Sequence, residues 1–439
     1  MQRVGVTLES VLLILAVISL CYPVLFYLHN SHFEFAFSFA GNYFIILPLF
    51  YLIAFSRIPI TFDFSDTIIS TIYVGRDFSS ILAMLFYWLV LNQIMFNSRN
   101  LSFHNKLFSR GGQFDFNLSF KFFLIFEILA FYLYTASGLD AGDAHWARSK
   151  ELYIEEAGTS AVITLFLVAG FRYITVCLLF LNVWSNYRVI QSFVCIILLC
   201  VTDTYTTGNR ITLLVFLFML FVFLLRSRHY KAILFSALAM IPLGFFMTIF
   251  RVLRSQLHSE DSAIDGFIKG WDLAVNNIDF NEDIVFESMS GITESINFNV
   301  LVNIFSIFGN EQSHMLGLSY FKTLVWWIPR SIYPDKPESI TVEVAGVFAP
   351  YADVALITTA VGESFINFGY FGMVLLPILF VFFKSVVSFF IENEILRQLV
   401  YMCFGFLMFR MAYSDTFIYF MFGCAAYIFL SAKYKVKSS

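Results

Sequence analysis

Of 439 residues, 59% are hydrophobic and 13% charged, with 57 Phe, 22 Tyr and a mean hydropathy of +0.77, whereas an ordinary soluble domain carries about 25% charged residues. The net charge of −4 supplies no basic surface for nucleic acid. This is the composition of an integral membrane protein, and the six cysteines, all inside apolar runs, read as small core residues rather than a disulfide or metal framework.

A bilayer core of about 30 Å needs roughly 20 apolar residues in a helix. Spans are predicted at 8–29, 39–57, 79–97, 119–137, 158–182, 188–203, 210–227, 231–250, 366–388, 398–412 and 415–432, an all-α polytopic bundle of 11 helices. The first run exceeds a signal peptide and lacks a small-residue cleavage site, so it is read as a retained span. The stretch 58–75, interrupted by Asp63 and Asp66, is the place for a further or re-entrant segment. A 12-span chain with its N-terminus inside is therefore the alternative to an 11-span chain with it outside.

Lys and Arg in short loops mark the cytoplasmic side. Arg99, Lys106, Arg110 and Lys121 place one loop inside; Arg226, Arg228 and Lys231 place a second; Lys433, Lys435 and Lys437 place the C-terminus. The interval 140–156 holds five acids against Arg148 and Lys150 and falls outside. So does the one long hydrophilic interval, 252–365, with fifteen acids against five Lys and Arg. The chain thus divides into an N-terminal bundle (1–251), a large outer loop (252–365) and C-terminal spans with a cytoplasmic tail (366–439), all one membrane domain. Amphipathic pieces at 296–308 and 320–328 predict short helices lying along the interface or dipping back.

Several cations gather on the outer side, against the insertion preference. "TTGNR" sets Arg210 at the start of a span behind Thr206, Thr207, Gly208 and Asn209, which supply caps and a flexible turn, an anion-binding arrangement. "FRVLRS" puts Arg251 and Arg254 on one helix face. "WWIPRSIYPDKPES" holds Arg330 and Lys336 among Pro329, Pro334 and Pro337, which fix φ and lower the entropy of presenting both charges. Snorkelling to lipid phosphates explains single arginines as well. Convergence on a diphosphate, gripped by guanidinium forks, explains the set.

No metal-ligand spacing, nucleotide-binding glycine loop or nucleophile elbow appears, so no cofactor is expected. The available acids and bases are Asp335, Glu260, Glu311 and Glu363, with His258 and His314. Glu363 stands about one turn before the following span, where helix capping accounts for it as readily as catalysis.

"YTTGNRITLL", "GLSYFKTLVWWIPRSIYPDKPES" and "GESFINFGYFG", in that order, resemble the landmarks of the O-antigen polymerase (Wzy-type) family. The likeness covers the whole chain in topology and about 45 residues in sequence. It implies a glycosyltransferase related to the GT-C architecture in the bacterial inner membrane, acting at the periplasmic face. Such an enzyme moves a growing glycan from undecaprenyl diphosphate onto a second lipid-linked repeat unit, without nucleotide or metal, alongside a Wzz-type chain-length regulator. Carried onto this sequence, Arg210 and Arg330 handle the diphosphate or position the acceptor; Glu363, one of the acids the loop itself offers, is the candidate catalytic carboxylate beside them. Arg251, Arg254, Lys336, Asp335 and Tyr333 join in substrate binding, and Trp271, Trp326 and Trp327 offer stacking faces for sugars. Two rivals stand. An O-antigen ligase shares the donor but delivers the glycan to lipid A core. A flippase or transporter for lipid-linked sugars expects mid-span charges, for which Arg172 and Arg410 are the cations the sequence offers.

Overall fold

The computed structural model describes residues 7–58, 72–100, 116–136, 167–207, 211–228, 268–269, 271–272, 295–326, 328, 332–349 and 356–435. Among these the chain is an all-α polytopic membrane protein, and six of its helices are long and apolar enough to cross a bilayer. Every predicted span falls on a helix except 231–250, which lies outside the described residues, as do the first residues of 158–182.

The chain folds as two compact units: 1–109, 293–392 and 404–418 form the first, and 110–292, 393–403 and 419–439 the second. In unit 1, α1 (Leu8–Leu28) starts at Thr7, whose hydroxyl accepts the Ser10 N–H at 3.3 Å. One of its faces, including Ile14, Val17 and Val24, is exposed and apolar, as a lipid-facing helix requires. Next, α2 (His32–Gly41) and α3 (Leu47–Phe55) form one 24-residue helix with a π turn over Asn42–Ile46. Pro48 has no N–H to give the Phe44 carbonyl, and the chain re-registers by one residue there. The widened turn puts Asn42 on α1, where Ser19 Oγ donates to Asn42 Oδ1 at 3.1 Å. Trp88 of α4 (Phe78–Ser98) donates to the same Ser19 hydroxyl at 2.7 Å. Trp88 is fully buried between Phe37 and Phe409, so its truncation to Ala costs about 3–5 kcal/mol. Between α3 and α4 two-residue strands, β1 (Arg57–Ile58) and β2 (Ile72–Tyr73), pair antiparallel.

Unit 2 contains α5 (Phe116–Ala136), α6 (Leu167–Trp184), α7 (Val189–Thr207) and α8 (Ile211–Arg226). Gly170 of α6 approaches the segment around Gly423 so closely that a Cβ would stand 2.8 Å from the Tyr419 carbonyl, the small-residue contact by which membrane helices pack.

The remaining helices of unit 1 are α9 (Ser295–Ile307), α10 (Leu318–Val325), α11 (Ile340–Phe348), α12 (Thr359–Phe368) and α13 (Gly372–Phe390). The last two, α14 (Glu394–Arg410) and α15 (Tyr413–Lys435), contribute residues to both units. Of the two forms expected for the piece at 296–308, lying along the interface or dipping back, burial favours the second: from Asn297 to Ile307 α9 is buried at nearly every position, its asparagines included, and it packs on α4 and α12. One expectation changes. The span predicted from 366 begins seven residues earlier, with α12, and breaks at Gly369, whose φ of +56° ends one helix and starts the next. By contrast α10 is amphipathic as expected. Ser319 is buried, while Leu318, Phe321 and Leu324 are exposed.

Candidate functional site

Two of the three sequence stretches singled out above meet in unit 1. Gly317 takes φ +92° and a Cβ there would press to 3.1 Å on Phe368, so the turn into α10 needs glycine. Its N–H donates to Asn367 Oδ1 at 3.0 Å, and the neighbouring Met315 and Leu316 N–H groups donate to the carbonyls of Ile366 and Asn367 at 3.1 and 3.0 Å. These bonds cap the C-terminal end of α12 with the loop that starts α10. His314 belongs to the same join: its Nδ1 lies 3.2 Å from the Ile366 carbonyl.

This docking faces Ser319 toward Glu363. Ser319 Oγ donates to Glu363 Oε1 at 2.6 Å and accepts from Asn367 Nδ2 at 2.8 Å. The other carboxylate oxygen, Oε2, accepts the Ser414 N–H at 3.1 Å, at the first turn of α15. Glu363 is fully buried, and among the described residues its carboxylate is held by these uncharged donors alone. Around it stand Tyr87, whose hydroxyl meets Ser364 Oγ at 2.6 Å, and Tyr320, whose ring stacks on Phe368 at 5.8 Å and meets Tyr413 edge-on at 5.7 Å. The Tyr320 hydroxyl is buried and makes no hydrogen bond among the described residues. Burial first, then the Glu363 carboxylate, raise its pKa well above the ordinary phenol value, so it remains a donor.

One residue beyond Ser414, Asp415 gathers the proline-rich stretch. Its Oδ1 lies 3.4 Å from Lys322 Nζ and its Oδ2 accepts from Ser339 Oγ at 3.0 Å. One carboxylate thus grips both ends of the 322–339 segment. Within that segment Lys336 Nζ donates to the main-chain carbonyls of Trp326 and Ile328, the latter at 3.1 Å. Lys336, read from sequence as a substrate cation, here closes the loop on itself. Asp335 is exposed and Tyr333 half-buried on the same segment. The helix that carries Glu363 starts under strain: Thr359 has φ +57°, rare for a β-branched residue, and its Oγ1 accepts the Gly362 N–H at 3.1 Å.

Arg210, Arg251, Arg254 and Arg330 lie outside the described residues. Helix α7 runs through Thr207, so Thr206 and Thr207 stand at its C-terminal end. Asp415 escaped the sequence reading because a single acid at the start of a span resembles an ordinary cap. The topology held a signal for it. The topology expected from the sequence places the turn before 415–432 on the same side as the 252–365 loop.

Buried ion pairs were also only half visible. Arg172 pairs with Asp203 at 2.6 Å, and Thr212 Oγ1 donates to the other Asp203 oxygen at 2.6 Å, tying α6, α7 and α8 within unit 2. Lys384, which the sequence reading passed over, is buried in α13 and pairs with Glu34 of α2 within unit 1. Arg410 is the last residue of α14, so it stands at a helix end and not at mid-span.

Fold and site together define a polytopic helical membrane protein with a polar, carboxylate-centred cluster built from segments far apart in sequence. No family model matches the chain, and no curated protein or solved structure matches it.

Proposed function

We propose that this chain is a membrane-embedded glycosyltransferase of the O-antigen polymerase type, joining undecaprenyl-diphosphate-linked repeat units at the periplasmic face of a bacterial inner membrane. One observation carries the reading. The stretches at 317–339 and 362–372, picked out for their likeness to that family, converge on Glu363 and Asp415 although more than 40 residues separate Ser319 from Glu363.

In this reading Arg210 and Arg330 stabilise the diphosphate as its charge develops, and no metal is required. Arg251 and Arg254 add to the cationic lining. Lys336 acts by shaping the loop that bears Arg330, and Asp335 and Tyr333 lie on that loop where a glycan passes. The partners are the lipid-linked donor and acceptor, membrane lipids and a Wzz-type chain-length regulator. The buried pairs Arg172–Asp203 and Lys384–Glu34 favour a second reading, a flippase for the same lipid-linked glycans.

Surface polysaccharide from cells lacking the gene separates the two. A core-plus-one-unit band without a ladder supports the polymerase; loss of that band too overturns it in favour of flippase or ligase. Complementation with Arg210→Lys or Arg330→Lys, which keep charge and reach but lose the guanidinium fork, should leave the one-unit band, a rate loss of about a hundred- to thousandfold. Arg228→Lys should restore the ladder.

A further inference from the structure

Helix α10 shows the cluster only one of its faces. Ser319 is turned inward onto Glu363 and Asn367, and Lys322, the one charged residue of the helix, reaches Asp415. The other side carries Leu318, Phe321 and Leu324 at three-residue steps, with Leu316 on the turn before. All four are exposed, 83% at Leu316 and 67% at Leu324, a stripe that no charge interrupts.

The neighbouring span shows what covers this stripe. Helix α13 has 19 residues, about 28 Å of helix, enough for a bilayer core of about 30 Å. Exposed Phe371, Val374, Ile378, Phe382 and Phe389 run along one side of it, as on the lipid-facing side of a span. This side begins at Phe371, just past Phe368, with the exposed Tyr370 between them where tyrosine favours a membrane edge. Phe368 is also where α10 docks: Tyr320 stacks on it at 5.8 Å, and a Cβ at Gly317 would stand 3.1 Å from it. The apolar stripe of α10 thus meets the lipid-facing side of α13 at its edge.

We propose that α10 is an interfacial anchor: Leu316, Leu318, Phe321 and Leu324 rest in membrane lipid at the edge where α13 enters, and this contact holds Ser319 on Glu363. Of the two forms expected for the piece at 320–328, α10 takes the one that lies along the interface. Eight residues are too few for a helix to be stable alone. It is kept in place by its bonds to α12 on one side and by lipid on the other. The bilayer is therefore part of what assembles the carboxylate cluster, whichever reaction or transport step the cluster serves.

The test uses the unmutated full chain in nanodiscs of phosphatidylcholine that carries a photoactivated diazirine on an acyl chain, with labelled positions mapped by mass spectrometry. Phe321 and Leu324 should be labelled at the level of Phe371 and Val374, and several-fold above Glu311 and Gln312, which are exposed on the loop before α10. Labelling no higher than at Glu311 overturns the anchor. A water-soluble carbene probe then separates the two ways it can fail: labelled by that probe, the stripe faces water, and protected from it, the stripe is covered by protein, a second copy or another part of this chain. The link to the cluster is read by hydrogen exchange in the double variant Phe321→Gln, Leu324→Gln, which keeps helix propensity and alters only exposed positions. The N–H groups of Met315, Leu316 and Gly317, bonded to Ile366 and Asn367, should exchange several-fold faster, with the buried α9 unchanged. Wild-type exchange at those three amides overturns the link, and so does a rise shared by α9, which is loss of the fold and not release of α10.

Discussion

Asp203 in unit 2 and Glu363 in unit 1 are both buried carboxylates on membrane helices, but their charge is met in different ways. Asp203 has a guanidinium 2.6 Å away and a threonine hydroxyl on its second oxygen. Glu34 in unit 1 follows the same rule with Lys384. Glu363 has a serine hydroxyl and a backbone N–H, and no cation among the described residues. A buried ion pair neutralises itself and stays where it forms, holding helices together. A carboxyl group held only by uncharged donors is not fixed to a partner helix by an opposite charge, and its orientation depends on the groups that donate to it. The difference separates a tie between helices from a centre that orients the groups around it.

The contrast breaks most visibly at Arg172. Arg172→Met leaves Asp203 charged and buried, a loss of about 3–5 kcal/mol, and should abolish a folded peak in detergent chromatography. Arg172→Met with Asp203→Leu removes both charges and should recover most of the yield. If the single variant melts within a degree or two of wild type, the pair is hydrated, and the distinction from Glu363 fails.

Ser319→Ala sharpens the other side. It strips a donor from Glu363 Oε1 and an acceptor from Asn367 Nδ2 at once. About 1–3 kcal/mol should be lost, with the protein still folded and, on the proposed function, chain extension strongly reduced. Normal extension at the lowered melting temperature would make Glu363 a structural group like Asp203.

Lys336→Met concerns a smaller interaction. Removing the ammonium frees the carbonyls of Trp326 and Ile328 near the surface, where water replaces it. A loss of about 1 kcal/mol is expected, read as faster proteolysis between 322 and 339 with the spans intact. If the variant cleaves no faster, the loop is held by Asp415 alone.

The spans were legible because a hydrophobic run of fixed length is a one-dimensional signal that lipid enforces. Which of its two expected forms α9 takes was not legible, because its asparagines, spaced like a polar face, are buried: Asn303 Nδ2 satisfies itself on the Asn299 carbonyl at 2.8 Å, one turn back. Composition cannot tell an asparagine that meets water from one that bonds within its own helix. The motif stretches were visible, but not that Ser319 would be fixed by Asn367, because long-range hydrogen bonds leave no spacing rule. Lys384 was hidden for a similar reason, since its partner Glu34 lies at the other end of the chain.

The smallest expected effect lies at Thr359, where the Glu363 helix starts. A β-branched residue at φ +57° costs about 1–2 kcal/mol. It persists here because Thr359 Oγ1 accepts the Gly362 N–H at 3.1 Å in a fully packed site. Asparagine tolerates the left-handed region better than any other residue with a side chain, and its Oδ1 can accept the same bond. Thr359→Asn should therefore stabilise the folded protein by a few tenths to about 1 kcal/mol, a rise of roughly 1–3 °C in melting temperature for a chain of this size. Glycine should gain less, because it relieves the strain but loses the cap and adds unfolded-state entropy. If Asn and Gly both destabilise as much as Ala, the threonine backbone is not strained, and the start of α12 is set by its hydroxyl alone. If Asn stabilises while chain extension falls, the strained turn serves the placement of Glu363. The buried carboxylate would then be linked to function by a measurement that leaves its own hydrogen bonds untouched.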